Sequence, residues 1–231
     1  QRGRLRFQAG GCPVHAPSAF CHDHGVVLAH APIDADGDKA EAELAGAPAL
    51  LARVDWRGRV LPGDALFCQR HLCRQVVAAG GDYVLPVKED QPTLHHDLAL
   101  LSDPPADAPA PLPPRDRREA VTLEKGHGRT HDRRHRVAST DLAGYLDWPG
   151  QAQVFRLERT WREDGVAHRQ LHYGVTSLPP EAADAARLLA LKRGHWQVEN
   201  RLHRAKDVTL GEDRSLVHAG SGPTGMALLR D

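Results

Sequence analysis

The sequence lacks the apolar runs that a membrane protein requires. No stretch of the 231 residues approaches the roughly 18 consecutive apolar side chains that cross a bilayer. The opening segment QRGRLRFQAGG has no apolar core of the kind that secretory signal peptides carry. We therefore expect a soluble, cytoplasmic protein with no membrane partner.

Several motifs with a well-defined chemistry are also missing. The cysteines Cys12, Cys21, Cys68 and Cys73 form no CxxC pair, so we expect free thiols, mostly small residues of the core. Neither a Gly-rich phosphate loop nor a GxSxG elbow occurs. Nucleotide hydrolysis and serine chemistry therefore have no support.

A structural zinc site has little support either. His127, His131 and His135 are four residues apart, which on a helix would make a tridentate face, but the neighbouring glycines and strand-like flanks argue against a helix. The sequence around Cys68 and Cys73 also lacks the spacing of a zinc finger. We expect no structural zinc.

The net charge is zero, because 30 Lys and Arg balance 30 Asp and Glu. The distribution of the charged residues along the chain is more informative. Residues 115–136 carry seven Arg and one Lys against four acids, and residues 193–206 carry three Arg and one Lys against a single acid. Two basic clusters in a neutral chain suit the footprint of a polyanion, although clustered Arg also occurs on ordinary surfaces.

The pattern of apolar residues predicts a chain of mixed α and β structure. A Pro-rich segment at 102–116 separates two parts and is predicted to be a linker or surface loop. The predicted elements are an early hairpin turning at 23–25, a helix at 39–54 interrupted by Pro48, a short strand ending in RVLPGD, a helix at 66–79, a strand DYVLPVK, a short helix QPTLHHDLALL, an antiparallel unit at 119–176, and a helix from Pro179 to about Lys206.

One acid stands inside a basic helical face near the end of the chain. At 3.6 residues per turn, Glu199 shares a side with His195, His203 and Lys206, and an apolar stripe can form elsewhere on the helix. Such a face suits an anionic or metal-bound partner. A solvated surface with i,i+4 ion pairs, each contributing about 0.2–0.5 kcal/mol, explains the spacing equally simply.

Three segments resemble bacterial insertion-sequence transposases of the DDE class, in the group with an HWxIEN motif, and they follow one another in the family's order. Along the chain they are VLPGDALFCQRHLCRQVVAAGGDYVLPVKEDQPTL, LEKGHGRTHDRRHRV, and GHWQVENRLH followed by DVTLGEDRS. In the broader pattern Y-xx-R-xxx-E-xxxxxx-K, Glu199 and Lys206 match, whereas Lys192 and His195 occupy the Tyr and Arg places. The resemblance covers nearly the whole chain.

This resemblance implies a fold and an activity. The fold is a ribonuclease-H-like mixed sheet with flanking helices, formed by residues 1–231 as one N-terminally incomplete domain with a β-rich insertion at 115–178. The activity is metal-dependent strand cleavage and strand transfer at the ends of an insertion sequence. Double-stranded DNA, as element ends and target, is the implied partner, and a homodimer on DNA is compatible with it.

The resemblance also implies the metal ligands. Asp64 resembles the second acid of the family and Glu199 the third, and together they would hold two Mg²⁺ ions, or Mn²⁺, about 3.5–4 Å apart. The first acid belongs to a D-G-K segment that is missing and that family spacing would place a few residues before Gln1. Asp23, Asp34 and Asp36 are early acids, but Asp23 sits in the predicted turn and the other two follow the hairpin, so none is assigned as the first acid.

Basic residues of the matching segments are the implied DNA contacts. Lys88 resembles the lysine of a VKxNQP segment, and Lys206 would lie near a phosphate. The insertion would contribute a basic hairpin that follows the DNA backbone electrostatically. The predicted contacts are Lys88, Lys125, Arg129, Arg133, Arg134 and Lys206.

Two interpretations of the missing acid stay open. The chain is either a fragment that starts downstream of the first Asp, or a decayed copy that no longer cleaves DNA. A site with two of three carboxylates would bind its ions weakly, so we expect the chain as given to be inactive. The alternative function is a catalytically inactive remnant that still binds DNA.

Overall fold

The computed structural model describes residues 14–15, 18–21, 24–30, 33–34, 39–102, 118–125, 132–141, 146–163 and 166–198. Contacts between Cα atoms divide the chain into two compact units. The first unit comprises Gln1–Asp55 with Gly194–Asp231, and the second comprises Trp56–Arg193. The expected single domain with an insertion at 115–178 stays a prediction.

The first unit contains two small antiparallel pairs and a helix. Strand β1 (Val14–His15) pairs with β4 (Ile33–Asp34), and β2 (Ser18–Cys21) pairs with β3 (Val26–His30). The predicted hairpin is confirmed. Its turn closes through a hydrogen bond of 2.8 Å from the Gly25 amide to the Cys21 carbonyl, and Gly25 has a φ of 67°, which favours glycine.

Helix α1 (Lys39–Leu51) runs without a break through Pro48. The predicted interruption is therefore wrong. Pro48 has no amide hydrogen, so it leaves one helical bond unmade. Its carbonyl still accepts from the Ala52 amide at 3.1 Å, and the burial of Leu50 and Leu51 on one side of the helix offsets the missing bond.

The second unit is built on a six-stranded mixed sheet with the order β5-β6-β10-β9-β8-β7. The first pair, β5 and β6, is parallel, and all the other pairs are antiparallel. The expected mixed α/β class is confirmed, and the antiparallel unit predicted at 119–176 consists of β7 to β10. The strands are β5 (Val60–Pro62), β6 (Asp82–Val87), β7 (Arg118–Lys125), β8 (Asp132–Asp141), β9 (Gln153–Glu163) and β10 (Val166–Thr176).

The sheet buries a different set of side chains on each face. Helices α2 (Arg70–Ala78) and α3 (Pro92–Ser102) contribute to one apolar cluster, and helix α4 (Ala185–Val198) contributes to the other. The alternation along β9 shows this directly, since Val154 belongs to the first cluster and Phe155 to the second. None of the helices in the described ranges has both the length and the apolar character of a membrane span.

Two predicted helices begin later than expected. The helix predicted at 66–79 is a 3₁₀ turn, Ala65–Phe67, followed by α2, because Gln69 is extended with φ −118° and ψ 136° and ends the first helical turn. The closing helix begins at Ala185 rather than Pro179. Asp184 sets this start, since its carboxylate accepts from the Arg187 amide at 2.8 Å as an N-cap.

Gly174 of β10 is fixed by close packing. A Cβ at this position would lie 2.6 Å from the carbonyl oxygen of Leu85 on β6 and would overlap the ring of Phe155 on β9. Both neighbours belong to the sheet core, so neither can move cheaply. By contrast, a Cβ at Gly194 in α4 would meet no described atom within 4 Å.

We expect Gly174→Ala and Gly194→Ala to change stability in opposite directions. Gly174→Ala should lower the free energy of unfolding by about 3 kcal/mol through overpacking. Gly194→Ala should raise it by about 1 kcal/mol, because alanine is the better helix former. Urea unfolding followed by circular dichroism measures both, and a Gly174→Ala protein as stable as the wild type would contradict the described packing.

Candidate active site

Asp64 lies two residues after the end of β5 and caps the start of the 3₁₀ turn. Its backbone is extended, with φ −80° and ψ 168°, and its carboxylate Oδ1 accepts a hydrogen bond of 2.6 Å from the Ala65 amide. The side chain is nevertheless 59% exposed. The carboxylate therefore has an oriented oxygen and is also accessible to a ligand from solvent.

Gly63, the residue before Asp64, packs closely against the neighbouring strand β6. A Cβ at Gly63 would lie 2.7 Å from Cδ2 of Leu85, so only glycine fits without displacing the core. The preceding residue, Pro62, ends β5 after three residues, as the sequence predicted. Within the described sheet β5 is an edge strand, where a proline is tolerated because no further strand needs its missing amide.

Lys88 follows the strand that lies parallel to β5. The carboxyl ends of parallel strands meet at one edge of a sheet, so the chain brings Lys88 and Asp64 together although they are far apart in sequence. The Nζ of Lys88 lies 3.4 Å from Oδ1 of Asp64. Both side chains are more than half exposed, so this ion pair contributes little to stability, about 0–1 kcal/mol.

Lys192 of α4 approaches the same turn from the interior. It is only 4% exposed, and its Nζ donates a hydrogen bond of 2.9 Å to the carbonyl of Gly63. Burial lowers the pKa of Lys192 to about 8, while the carboxylate of Asp64 acts in the opposite direction. A buried ammonium group therefore lies under the residue that precedes the candidate acid.

His172 of β10 completes the group of titratable side chains around Asp64. Partial burial lowers its pKa, and the positive charges of Lys192, Lys88 and Arg159 lower it further. The nearby carboxylate of Asp64 acts in the opposite direction without reversing the shift. The groups accessible to a ligand are the Asp64 carboxylate and the Lys88 ammonium, a pair that suits a metal-bound or phosphate-bearing ligand, whereas Lys192 is buried behind the turn.

The buried thiols near this turn have no nucleophilic role. Burial raises the pKa of Cys73 to about 11 and raises that of Cys68 further. Cys21, Cys68 and Cys73 are all free, and the last two are buried, as predicted for core cysteines. Thiolate chemistry is therefore excluded at Cys68 and Cys73 near pH 7.

The structure brings together two of the predicted site residues, Asp64 and Lys88. Glu199, Arg129 and Lys206 lie outside the described residues. The backbone positions of Lys125, Arg133 and Arg134 lie on β7 and β8, but their side chains are outside the described part. In the described ranges, no group of three or more His, Cys, Asp and Glu side chains could hold a metal ion.

Sequence reasoning did not assign Lys192 or His172 to the site. In the family pattern, Lys192 occupies the place of a tyrosine. One signal was available, since Lys192 follows Leu188 by four residues and therefore shares the buried face of the helix. His172 carried no such signal, because its neighbours in the site come from distant parts of the chain.

The buried charge of Lys192 makes a pH-dependent contribution to stability. The unfolded chain has a Lys192 pKa near the ordinary 10.5, above the value of about 8 in the folded chain. Between these values the unfolded state binds the proton more tightly, so stability rises with pH. The cost of burying the charge is fully present below pH 8 and disappears as pH approaches 10.5.

We therefore compare the wild type with Lys192→Met, which removes this titration and leaves an unbranched apolar side chain that is one atom shorter. From pH 7 to pH 10, the free energy of unfolding of the wild type should rise by about 3 kcal/mol relative to the variant. Urea unfolding at each pH measures the difference, in which the other titrating groups cancel. A difference independent of pH would contradict the burial of the ammonium.

Comparison with known proteins identifies the family of this chain. The sequence matches the family described as "Transposase DDE domain" over residues 14–230. The Escherichia coli K12 protein named "H repeat-associated putative transposase YhhI" is 28% identical over 224 residues, which cover 90% of this chain and 54% of the relative. The Escherichia coli O157:H7 protein named "Putative transposase YncI" is 29% identical over 220 residues, covering 90% and 52%.

A relative from another organism has higher identity over a shorter span. The Xanthobacter autotrophicus protein named "Uncharacterized protein in dhlA 3'region" is 33% identical over 173 residues, 73% of this chain and 55% of the relative. The chain spans about half the length of the relatives it matches. The family match includes both Asp64 and Glu199. The chain therefore belongs to the transposase DDE domain family.

Proposed function

We propose that this chain is the catalytic part of a transposase that cleaves DNA strands at the ends of its own insertion sequence and joins them to target DNA in the cytoplasm. The observation that carries the proposal is the exposed carboxylate of Asp64 at the carboxyl end of β5, next to Lys88, in a chain of the DDE family. Carboxylates at strand ends are accessible to ligands and held by a rigid sheet.

Asp64 and Glu199 are the proposed metal ligands. Oxygen ligands of this kind suit Mg²⁺, and Mn²⁺ accepts the same set. A bound pair of ions would activate the attacking oxygen and stabilise the leaving one. The described residues supply one such carboxylate, so the proposed site requires Glu199 and a further acid.

The cationic side chains around Asp64 have a separate role in this proposal. Lys88 is exposed and can reach a DNA phosphate beside the carboxylate. Lys88 directly follows β6, at the same sheet edge as Asp64. The proposed DNA contacts beyond this edge are Lys125, Arg129, Arg133, Arg134 and Lys206, and we propose that two copies of the protein act together on DNA.

The test is a nicking assay with the protein expressed from its complete gene and a supercoiled plasmid that carries the element ends. We expect nicking that requires Mg²⁺ or Mn²⁺. Asp64→Asn and Glu199→Gln should each reduce it by more than the roughly 10–100-fold that outer-shell partners of a metal cost. Gel shifts should show that both variants still bind the DNA.

Asp90→Asn is the matched control, since Asp90 is an exposed acid near the same sheet edge that we assign no role. It should nick at the wild-type rate. Nicking by Asp64→Asn at the wild-type rate would contradict the assignment. A wild-type protein that binds the element ends and never nicks them would instead support the inactive DNA-binding remnant.

A further inference from the structure

The hydrogen bond between Lys192 and Gly63 joins two distant parts of the second unit. The residues are 129 positions apart, and the bond of 2.9 Å is buried. It runs from α4 to the last residue before Asp64. The closing helix is therefore attached directly to the turn that carries the candidate acid.

A buried lysine at this place is unusual. Lysine is almost never fully buried without a partner, and Leu188 and Leu189, one turn before Lys192 on α4, belong to the apolar core. The described residues offer its ammonium group one hydrogen-bond acceptor, the Gly63 carbonyl. An apolar residue would fill the same space without the burial of a charge.

Two contacts of the Asp64 side chain, with the Ala65 amide and with Lys88, do not fix the turn as firmly. The Ala65 amide belongs to the same turn and moves with it. Lys88 is more than half exposed, and its ion pair with Asp64 is accessible to solvent and salt. The Gly63 carbonyl, in contrast, is held by a group inside the core, where side chains have little freedom.

We propose that Lys192 is a positioning residue that holds the Gly63–Asp64 turn against α4. Lys192 does not touch a substrate. It fixes the backbone from which the Asp64 carboxylate projects, and it couples that carboxylate to the helix that leads toward Glu199. The catalytic meaning of this positioning rests on the proposed function, whereas the attachment itself does not.

Hydrogen–deuterium exchange of the full chain, followed by mass spectrometry of peptides, tests the attachment. Lys192→Met replaces the side chain with an unbranched apolar one that is shorter by the terminal nitrogen, and so removes the donor. At pH 7 we expect amide exchange in residues 63–67 to become at least about ten times faster, while peptides from β9 and β10 keep their wild-type rates. The free energy of unfolding should not fall, because the variant no longer buries a charge.

Lys88→Met is the matched control, because it removes the other lysine near Asp64. Its exchange in residues 63–67 should stay within about twofold of the wild type. Local loosening without loss of global stability separates positioning from a general structural role. Unchanged exchange in Lys192→Met, or exchange that rises throughout the second unit together with a loss of stability, would overturn the proposal.

A measurement on the wild type keeps the proposal testable if Lys192→Met does not fold. In protein labelled with ¹⁵N-lysine and ¹³C-carbonyl glycine, the Lys192 ammonium should give a slowly exchanging signal with a coupling through the hydrogen bond to the Gly63 carbonyl. Lys192→Arg identifies the signal by its loss. A wild-type protein with no such signal would overturn the proposal.

These experiments need neither metal nor DNA, so their outcome is independent of the nicking assay. If exchange in residues 63–67 is faster in Lys192→Met than in the wild type, and the complete gene product never nicks DNA, the attachment is supported and the proposed function is refuted. The reverse result, with Asp64-dependent nicking and unchanged exchange in Lys192→Met, would refute the positioning role alone.

Discussion

The parallel pairing of β5 with β6 is the constraint on which the candidate site depends. Val60, Leu61 and Pro62 pair with residues 82–84, so the two strands run in the same direction and end at one edge of the sheet. Asp64 follows one strand end and Lys88 the other. If the strands were antiparallel, their carboxyl ends would lie at opposite edges and the 3.4 Å contact between the two side chains could not form.

The remainder of the second unit holds this edge in place from both faces. On one face α2 and α3 pack against residues of β6 and β10, and on the other α4 covers Val84 and Phe155. Close contacts at Gly63 and Gly174 leave no room for side chains between the strands. The exposed carboxylate is thus carried by a backbone that is itself tightly packed, as preorganisation of a functional group requires.

Much of the local structure was predictable from the sequence. Alternating apolar residues identified β7 to β10, and the DHG turn identified the hairpin of the first unit. Helix starts were less predictable, since Gln69 and Asp184 set them through backbone geometry and capping. The pairing of β10 with β6 was not accessible from periodicity, because it joins residues about 90 positions apart in the chain.

The candidate site also contains residues that the sequence predicted and residues that it did not. Asp64 and Lys88 were predicted through resemblance to a family, whereas their spacing in the sequence alone indicates no site. Lys192 and His172 were missed because their role depends on tertiary contacts. The spacing of Lys192 from Leu188 indicates a buried position, but the partner of its ammonium group, the Gly63 carbonyl, is known only from the packing of the helix.

The central claim is that Asp64 is a cation-binding carboxylate at the end of β5. The most direct measurement is the broadening of backbone amide NMR signals by substoichiometric Mn²⁺, because paramagnetic broadening identifies the residues nearest the ion. We expect selective broadening of the Ala65 and Lys88 amides that disappears in Asp64→Asn. Broadening that is centred elsewhere, or that persists in Asp64→Asn, would contradict it.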